Sequence, residues 1–146
     1  LELAQAFSRE HKLKNVINQV AESFDHIIID SSPSLGLLTI NALSAAEECI
    51  IPLQCEFYAV EGFSNLKKTI EKVREQVNPH LKIKGVLLTM VDKRKNIHIQ
   101  VEEMLREMFK ELIFKTTIPS NVKLTECSSQ GKSILDHAPK SSGCIS

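Results

Sequence analysis

Three consecutive isoleucines, Ile27-Ile28-Ile29, run straight into Asp30 and then into the turn residues Ser31-Ser32-Pro33-Ser34-Leu35-Gly36. An unbroken run of β-branched residues does not alternate, so it suits a strand covered on both faces, as in a parallel sheet, better than a strand wetted on one side. Residues 26–30 are therefore expected to form a strand that delivers Asp30 to its C-terminal end. Open α/β sheets bind their ligands at that end.

An acidic residue so placed has the build of a Walker B strand, whose carboxylate meets a hydrated Mg²⁺ on a nucleotide. The matching phosphate loop, G-x-x-x-x-G-K-[ST] or a variant, does not occur among the 146 residues. Asp30 also suits a turn or N-cap position ahead of a helix over 36–46.

The rest of the chain alternates between two hydrophobic periods. Leu13, Val16, Ile17 and Val20 give one helical face within a helix expected over 1–22, broken near Ser8. Cys49 to Leu53 reads as a second strand, with Cys49 a small core residue. Val60, Phe63, Leu66, Ile70, Val73 and Val77 stripe a helix over 60–77 that Asn78-Pro79 stops. A third strand is expected over 83–90, a helix over 97–112, a fourth strand over 114–118 and a short helix over 121–129. The tail from Gly131 reads as loop. Strands alternating with helices imply βαβ units, hence an α/β fold with a mostly parallel sheet flanked by helices.

Composition narrows the partners. Lysine plus arginine equal aspartate plus glutamate at 18 each, so no global field draws the chain to nucleic acid or membrane, and any such contact must be local. No apolar run approaches the ~20 residues of a membrane span. Cys49, Cys55, Cys127 and Cys144 form no C-x-x-C pair, which favours reduced, unligated thiols. The five histidines show no ligand or triad spacing and read as structural. Lys93-Arg94-Lys95 puts three adjacent cations in a loop, suited either to phosphate contact or to plain solvation.

Five separated blocks resemble one family. Asp30-Ser31-Ser32-Pro33-Ser34-Leu35-Gly36-Leu37-Leu38-Thr39-Ile40-Asn41-Ala42-Leu43 resembles the D-x-P-P-S-L-G-x-L-T-x-N-A-L signature of ParA/Soj-type partition ATPases, of the deviant Walker class. The stretches from Ile51 to Gly62, from Gly85 to Asp92 and from Thr117 to Leu124, and Gly131-Lys132 with Asp136, resemble later blocks of the same family in the same order. The resemblance covers essentially the whole chain. It departs at Ser32, where the family has proline, and at Ser120, where it has arginine.

The resemblance implies a deviant-Walker P-loop NTPase fold of which residues 1–146 are the C-terminal portion of a single ATPase domain. The family's K-G-G-x-G-K-T segment precedes the part matched here, and both chain ends read as cut. With a central strand missing, the isolated chain is expected to be unstable or to aggregate. In the intact protein the resemblance implies ATP or ADP with Mg²⁺, the metal held at Asp30 through water. Pro33, Met90, Asp92 and Pro119 would lie around the nucleotide, and Lys93, Arg94, Lys95 and Lys123 would lie on non-specific DNA. It further implies ATP-dependent homodimerisation, a ParB-type partner, no membrane, a cytoplasmic, nucleoid-associated location and a role in chromosome or plasmid segregation. The Cys55-Glu56-Phe57-Tyr58 stretch would be a switch-like loop near the dimer interface. This chain alone is expected neither to bind nucleotide stably nor to hydrolyse it. The alternative is a truncated, non-catalytic DNA-binding or dimerisation module.

Overall fold

Residues 7–32 and 36–146 are described by a computed structural model, and most of their elements follow the two hydrophobic periods. The chain divides into two units, Leu1–Cys49 with Phe63–Ile83 and Ile50–Gly62 with Lys84–Ser146.

In the first unit a 3₁₀ turn at Arg9–His11 leads into α1 (Lys12–Ile17), and a second turn spans Ala21–Ser23. The helix expected over 1–22 is thus interrupted. Ser8 takes a left-handed φ of 49°, and residues 1–6 lie outside the described residues. Past Ile17 the backbone bonds tighten to three-residue turns, Gln19 N–H to the Val16 carbonyl and Val20 N–H to that of Ile17. Val16 and Val20 are exposed, so only half of the expected apolar face is used.

Helix α2 (Leu37–Ala45) matches the expectation for 36–46 and packs on α1. Its buried face is polar as well as apolar. Asn41 accepts from the Leu13 N–H at 3.1 Å and donates to the Arg9 carbonyl at 2.8 Å. Ser44 meets His11 Nδ1 at 2.8 Å. These bonds satisfy side chains that would be costly to bury alone.

The strand expected over 26–30 is not formed. Ile27 is 41% and Ile28 92% exposed. Apolar β-branched residues favour a strand only where a neighbour supplies ladder bonds and a surface to pack on. Among the described residues the sheet consists of other strands.

Helix α3 (Ala59–Gln76) is the expected amphipathic helix, with Phe63, Ile70 and Val73 buried at helical spacing. Asn78, just past its end, is buried and donates to the carbonyls of Leu43 and Ala46.

The sheet runs β1 (Glu48–Gln54), β2 (Lys82–Val91), β3 (Ile113–Pro119), in that order. β2 and β3 are parallel, with Val86 opposite Ile113, Leu88 opposite Thr117 and Val91 opposite Pro119. A parallel pair needs a crossover, which α4 (Asn96–Phe109) and the turn Lys110–Leu112 supply; α4 packs on β3. Val86, Leu88, Val91, Val101, Leu105 and Ile113 form the buried centre of the second unit. Gly85 is fixed by this packing: a Cβ there would lie 2.7 Å from the Phe114 ring and 3.1 Å from the Leu112 carbonyl. The fold class is α/β, as the alternating pattern implies.

β1 differs from its apolar sequence. Ile51 is buried, but Ile50 is 55% exposed, Pro52 is exposed and Cys49 is half-buried. As an edge strand it is covered on one face, and an edge tolerates the missing N–H of Pro52.

After α5 (Val122–Ser129) the tail is not loop throughout. It forms the short helices α6 (Ile134–His137) and α7 (Ser142–Ile145). Ser133 caps α6 by accepting from the Asp136 N–H at 3.2 Å while its hydroxyl donates to the Asp136 carboxylate at 2.7 Å. Four-residue helices are too short to show a period, but Ser133-x-x-Asp136 is a legible capping signal.

Candidate functional site

β2 and β3 end together. The Ser120 N–H donates to the Val91 carbonyl at 3.0 Å, which carries the pairing one residue past Pro119. Of the residues singled out in the sequence, Met90, Asp92 and Pro119 lie at these strand ends, with Lys93, Arg94 and Lys95 in the loop that follows β2.

Met90 has a φ of 53°, the left-handed region that an L side chain enters at a cost of about 1–2 kcal/mol. Its side chain is 51% exposed, so core packing does not account for the conformation. Strained backbone of this kind concentrates at ligand-binding strand ends.

Asp92 follows in the turn and grips Arg94. The Arg94 Nε–H donates to Oδ1 and an NH2 proton to Oδ2, both at 2.9 Å, and the Arg94 backbone N–H donates to Oδ1 at 3.1 Å. This is the bidentate fork that guanidinium makes with carboxylate or phosphate. The partners differ in access: the Asp92 side chain is 14% exposed and that of Arg94 90%. The hydrogen bonds from Arg94 hold the Asp92 carboxyl well below the usual carboxylate range, and the same bonds push the guanidinium up.

Asp92 is itself held. Its N–H donates to His98 Nδ1 at 3.2 Å, so that ring nitrogen carries no proton, and the Lys95 N–H donates to the Asp92 carbonyl at 3.0 Å. The Lys95 carbonyl then accepts from the His98 and Ile99 N–H groups as α4 begins. Asp92 and Arg94 are each legible in the sequence and His98 reads there as structural; the linkage of the three is visible in the fold. The signal was the Asp-x-Arg spacing, since an aspartate often bonds the backbone N–H two residues on.

Lys123 lies on α5, with its N–H capped by Asn121 at 2.8 Å. Its ammonium meets Glu126 at 2.7 Å, and His137 Nε2 approaches the same oxygen at 3.4 Å. The Lys123 hydrogen bond, then that of His137, lowers the Glu126 carboxyl below its ordinary value. The charge of Lys123 is therefore shared within the fold.

Cys55 is fully buried just after β1, while Phe57 and Tyr58 are exposed and meet edge to face at 5.1 Å. Burial pushes the Cys55 thiol up; Glu102 adds to the shift and Arg106 opposes it.

Asp30 belongs to the first unit, where it is exposed, and Pro33 lies outside the described residues. Among the described residues no three His, Cys, Asp or Glu side chains cluster as a metal site would require. A single exposed carboxylate fits an outer position on hydrated Mg²⁺, whose other partners are waters and phosphate oxygens, and does not make a metal site alone. Among the described residues no helix is long and apolar enough to cross a membrane.

The family model for the AAA domain matches residues 1–83. The chain is 50% identical to the chromosome partitioning protein ParA of Myxococcus xanthus, over 100% of this chain and 52% of that protein. It is 49% identical to the sporulation initiation inhibitor protein Soj of Bacillus subtilis, over 98% of this chain and 56% of that protein. Among solved structures it resembles cobyrinic acid a,c-diamide synthase from Mycobacterium smegmatis with bound ADP and magnesium. The TM-score is 0.74 at 33% identity, over 90% of this chain and 58% of that chain. The chain spans about half the length of the curated relatives it matches.

Proposed function

The chain belongs to the AAA domain family and is of the ParA/Soj type, and from that premise we propose that it is the C-terminal portion of a single partition-ATPase domain. The whole protein acts in chromosome or plasmid segregation. It closes a homodimer on ATP, holds DNA without sequence preference and answers to a ParB-type partner on the nucleoid, in the cytoplasm. The observation that carries this reading is the loop Asp92–Lys95 at the end of β2, where three cations follow a strained strand end.

Each residue has a part. Asp30 would hold Mg²⁺ through water, and Pro33, Met90, Asp92 and Pro119 would surround the nucleotide. When bound, Mg²⁺ neutralises charge on the phosphate oxygens. Lys93, Arg94, Lys95 and Lys123 face DNA phosphates, which fixes position without reading sequence. Catalysis of phosphoryl transfer is mostly positioning and charge stabilisation, so residues 1–146 alone do not turn ATP over.

A chimera tests this reading. The matched half of the Bacillus subtilis Soj protein is replaced by this chain, and DNA binding is measured by fluorescence anisotropy with ATP, with ADP and at rising salt. ATP-dependent binding that is equal on unrelated duplexes and falls with salt is expected. A folded chimera whose DNA affinity ignores both nucleotide and salt would overturn it. A second reading, a non-catalytic DNA-binding module, is favoured by the basic loop lying wholly within one unit. It predicts salt-dependent DNA binding by the 146-residue chain that ATP leaves unchanged.

A further inference from the structure

We propose that Asp92 is a positioning residue that gates Arg94, its carboxylate standing in for a phosphate and keeping the guanidinium fork engaged until a DNA phosphate exchanges for it. The proposal deepens the DNA-binding reading and rests on it.

The two ends of the contact are unequal. Asp92 is anchored. Its side chain is mostly covered, its N–H is spent on His98, its carbonyl takes the Lys95 N–H and its Oδ1 also takes the Arg94 N–H. Arg94 is tied to the loop only through its own backbone and the fork, and its side chain is 90% exposed. When the contact opens, the carboxylate stays and the guanidinium moves.

The fork suits exchange. Arginine presents the same two parallel N–H groups to a carboxylate as to a phosphate. An ion pair this open to water is weak, so a polyanion can compete for it. At rest the loop sets three cations against one buried-side carboxylate, and Arg94 is the cation that carboxylate withholds. Lys93 and Lys95 are exposed on either side of it and can make first contact. His98 acts one step further back: while its Nδ1 accepts the Asp92 N–H, the carboxylate stays where Arg94 finds it.

The test compares salt-dependent DNA affinity, with ATP present, for the chimera of this chain with the Bacillus subtilis Soj protein and for its Asp92→Asn, Arg94→Ala and double variants. Asparagine keeps an oxygen for the Arg94 backbone N–H and removes the charge that holds the fork. Asp92→Asn is expected to bind duplex DNA about 3- to 5-fold tighter at low salt, with the number of phosphate contacts read from the salt slope unchanged, because Arg94 reaches the same phosphate in both complexes. Arg94→Ala should bind more weakly with a slope shallower by about one. The double variant should match Arg94→Ala, because without the guanidinium there is nothing to release.

If Arg94→Ala weakens binding but Asp92→Asn is no tighter than wild type, the gate is wrong and the DNA reading stands. If the parent chimera and its Asp92→Asn variant show no salt-dependent binding with ATP, both fall. Should Asp92→Asn not fold, the Arg94 Nε–H resonance of the parent chimera with ATP decides the matter. It must shift on addition of duplex DNA and return at high salt; a signal that holds its position while DNA binds overturns the gate.

Discussion

Asn78 donates its side-chain amide to the Ala46 carbonyl at 2.8 Å, joining the end of α3 to the end of α2 across 32 residues of sequence. Its second amide proton goes to the Leu43 carbonyl at 3.0 Å. Two helix-end carbonyls that lack intrahelical partners are thereby satisfied away from water. Asn78→Ala would strand both, and a loss of about 2–3 kcal/mol of unfolding free energy is expected. Urea denaturation measures it; a change under about 0.5 kcal/mol, the ordinary range for an inconsequential surface substitution, would show that the turn does not depend on these bonds.

Met90 offers the opposite case. Its left-handed backbone costs stability, and its half-exposed side chain returns little. Met90→Gly should raise stability by about 0.5–1 kcal/mol, since glycine enters that region freely but gives back part of the gain as unfolded-state entropy. Thermal melting checks the sign. A lower melting temperature would mean that the Met90 side chain packs more than its exposure suggests.

The thiols should separate by access. Cys55 and Cys127 are buried, while Cys49 and Cys144 are half-buried, and burial also pushes the Cys49 thiol up. Alkylation of the native chain followed by mass spectrometry should mark Cys144 first and Cys55 last. The raised Cys55 value carries a linked prediction. A folded-state value above the unfolded one means its contribution is intact below the unfolded value, near 8.5, and is lost as pH rises toward the folded value. Cys55→Ala or Cys55→Ser should flatten that alkaline decline.

Asp92 gives the acid counterpart. Its folded value is depressed, so its contribution is present above the unfolded value of about 3.9 and disappears as pH falls below it toward the folded value. Carboxyl NMR titration should find Asp92 still ionised where ordinary aspartates have protonated. Arg94→Ala should return the midpoint most of the way to the ordinary range. A midpoint unmoved by that substitution would show that something other than the fork holds the charge.

The parts legible in the sequence are those whose period is long. α3 and α4 could be read because apolar stripes such as Phe63, Ile70 and Val73 recur over several turns. β2 and β3 could be read because short apolar runs sit between helices. The strand over 26–30 could not be judged that way. Its isoleucines state a preference, but pairing is a property of two segments, and Ile28 is almost wholly exposed. The tail escaped for want of length. At the candidate site the residue types were legible one at a time: Met90, Asp92 and Pro119 fall at the strand ends and Arg94 in the loop after β2. Neither the positive φ of Met90 nor the chain of bonds from His98 through Asp92 to Arg94 has a periodic signature. Such links depend on how a turn closes, and a turn closes in three dimensions.

Pro52 in β1 bears on what can ever lie beside that strand. Every other residue on an edge offers a newcomer a donor or an acceptor at regular intervals, so a foreign strand can slide by two residues and still pair. A proline breaks that regularity once, at a fixed place. Pro52 faces one side of β1 and offers no donor there, so the ladder on that side lacks one rung at a fixed place. One imino acid thus acts as an index mark in the ladder: it disfavours any register that would need a donor at that place.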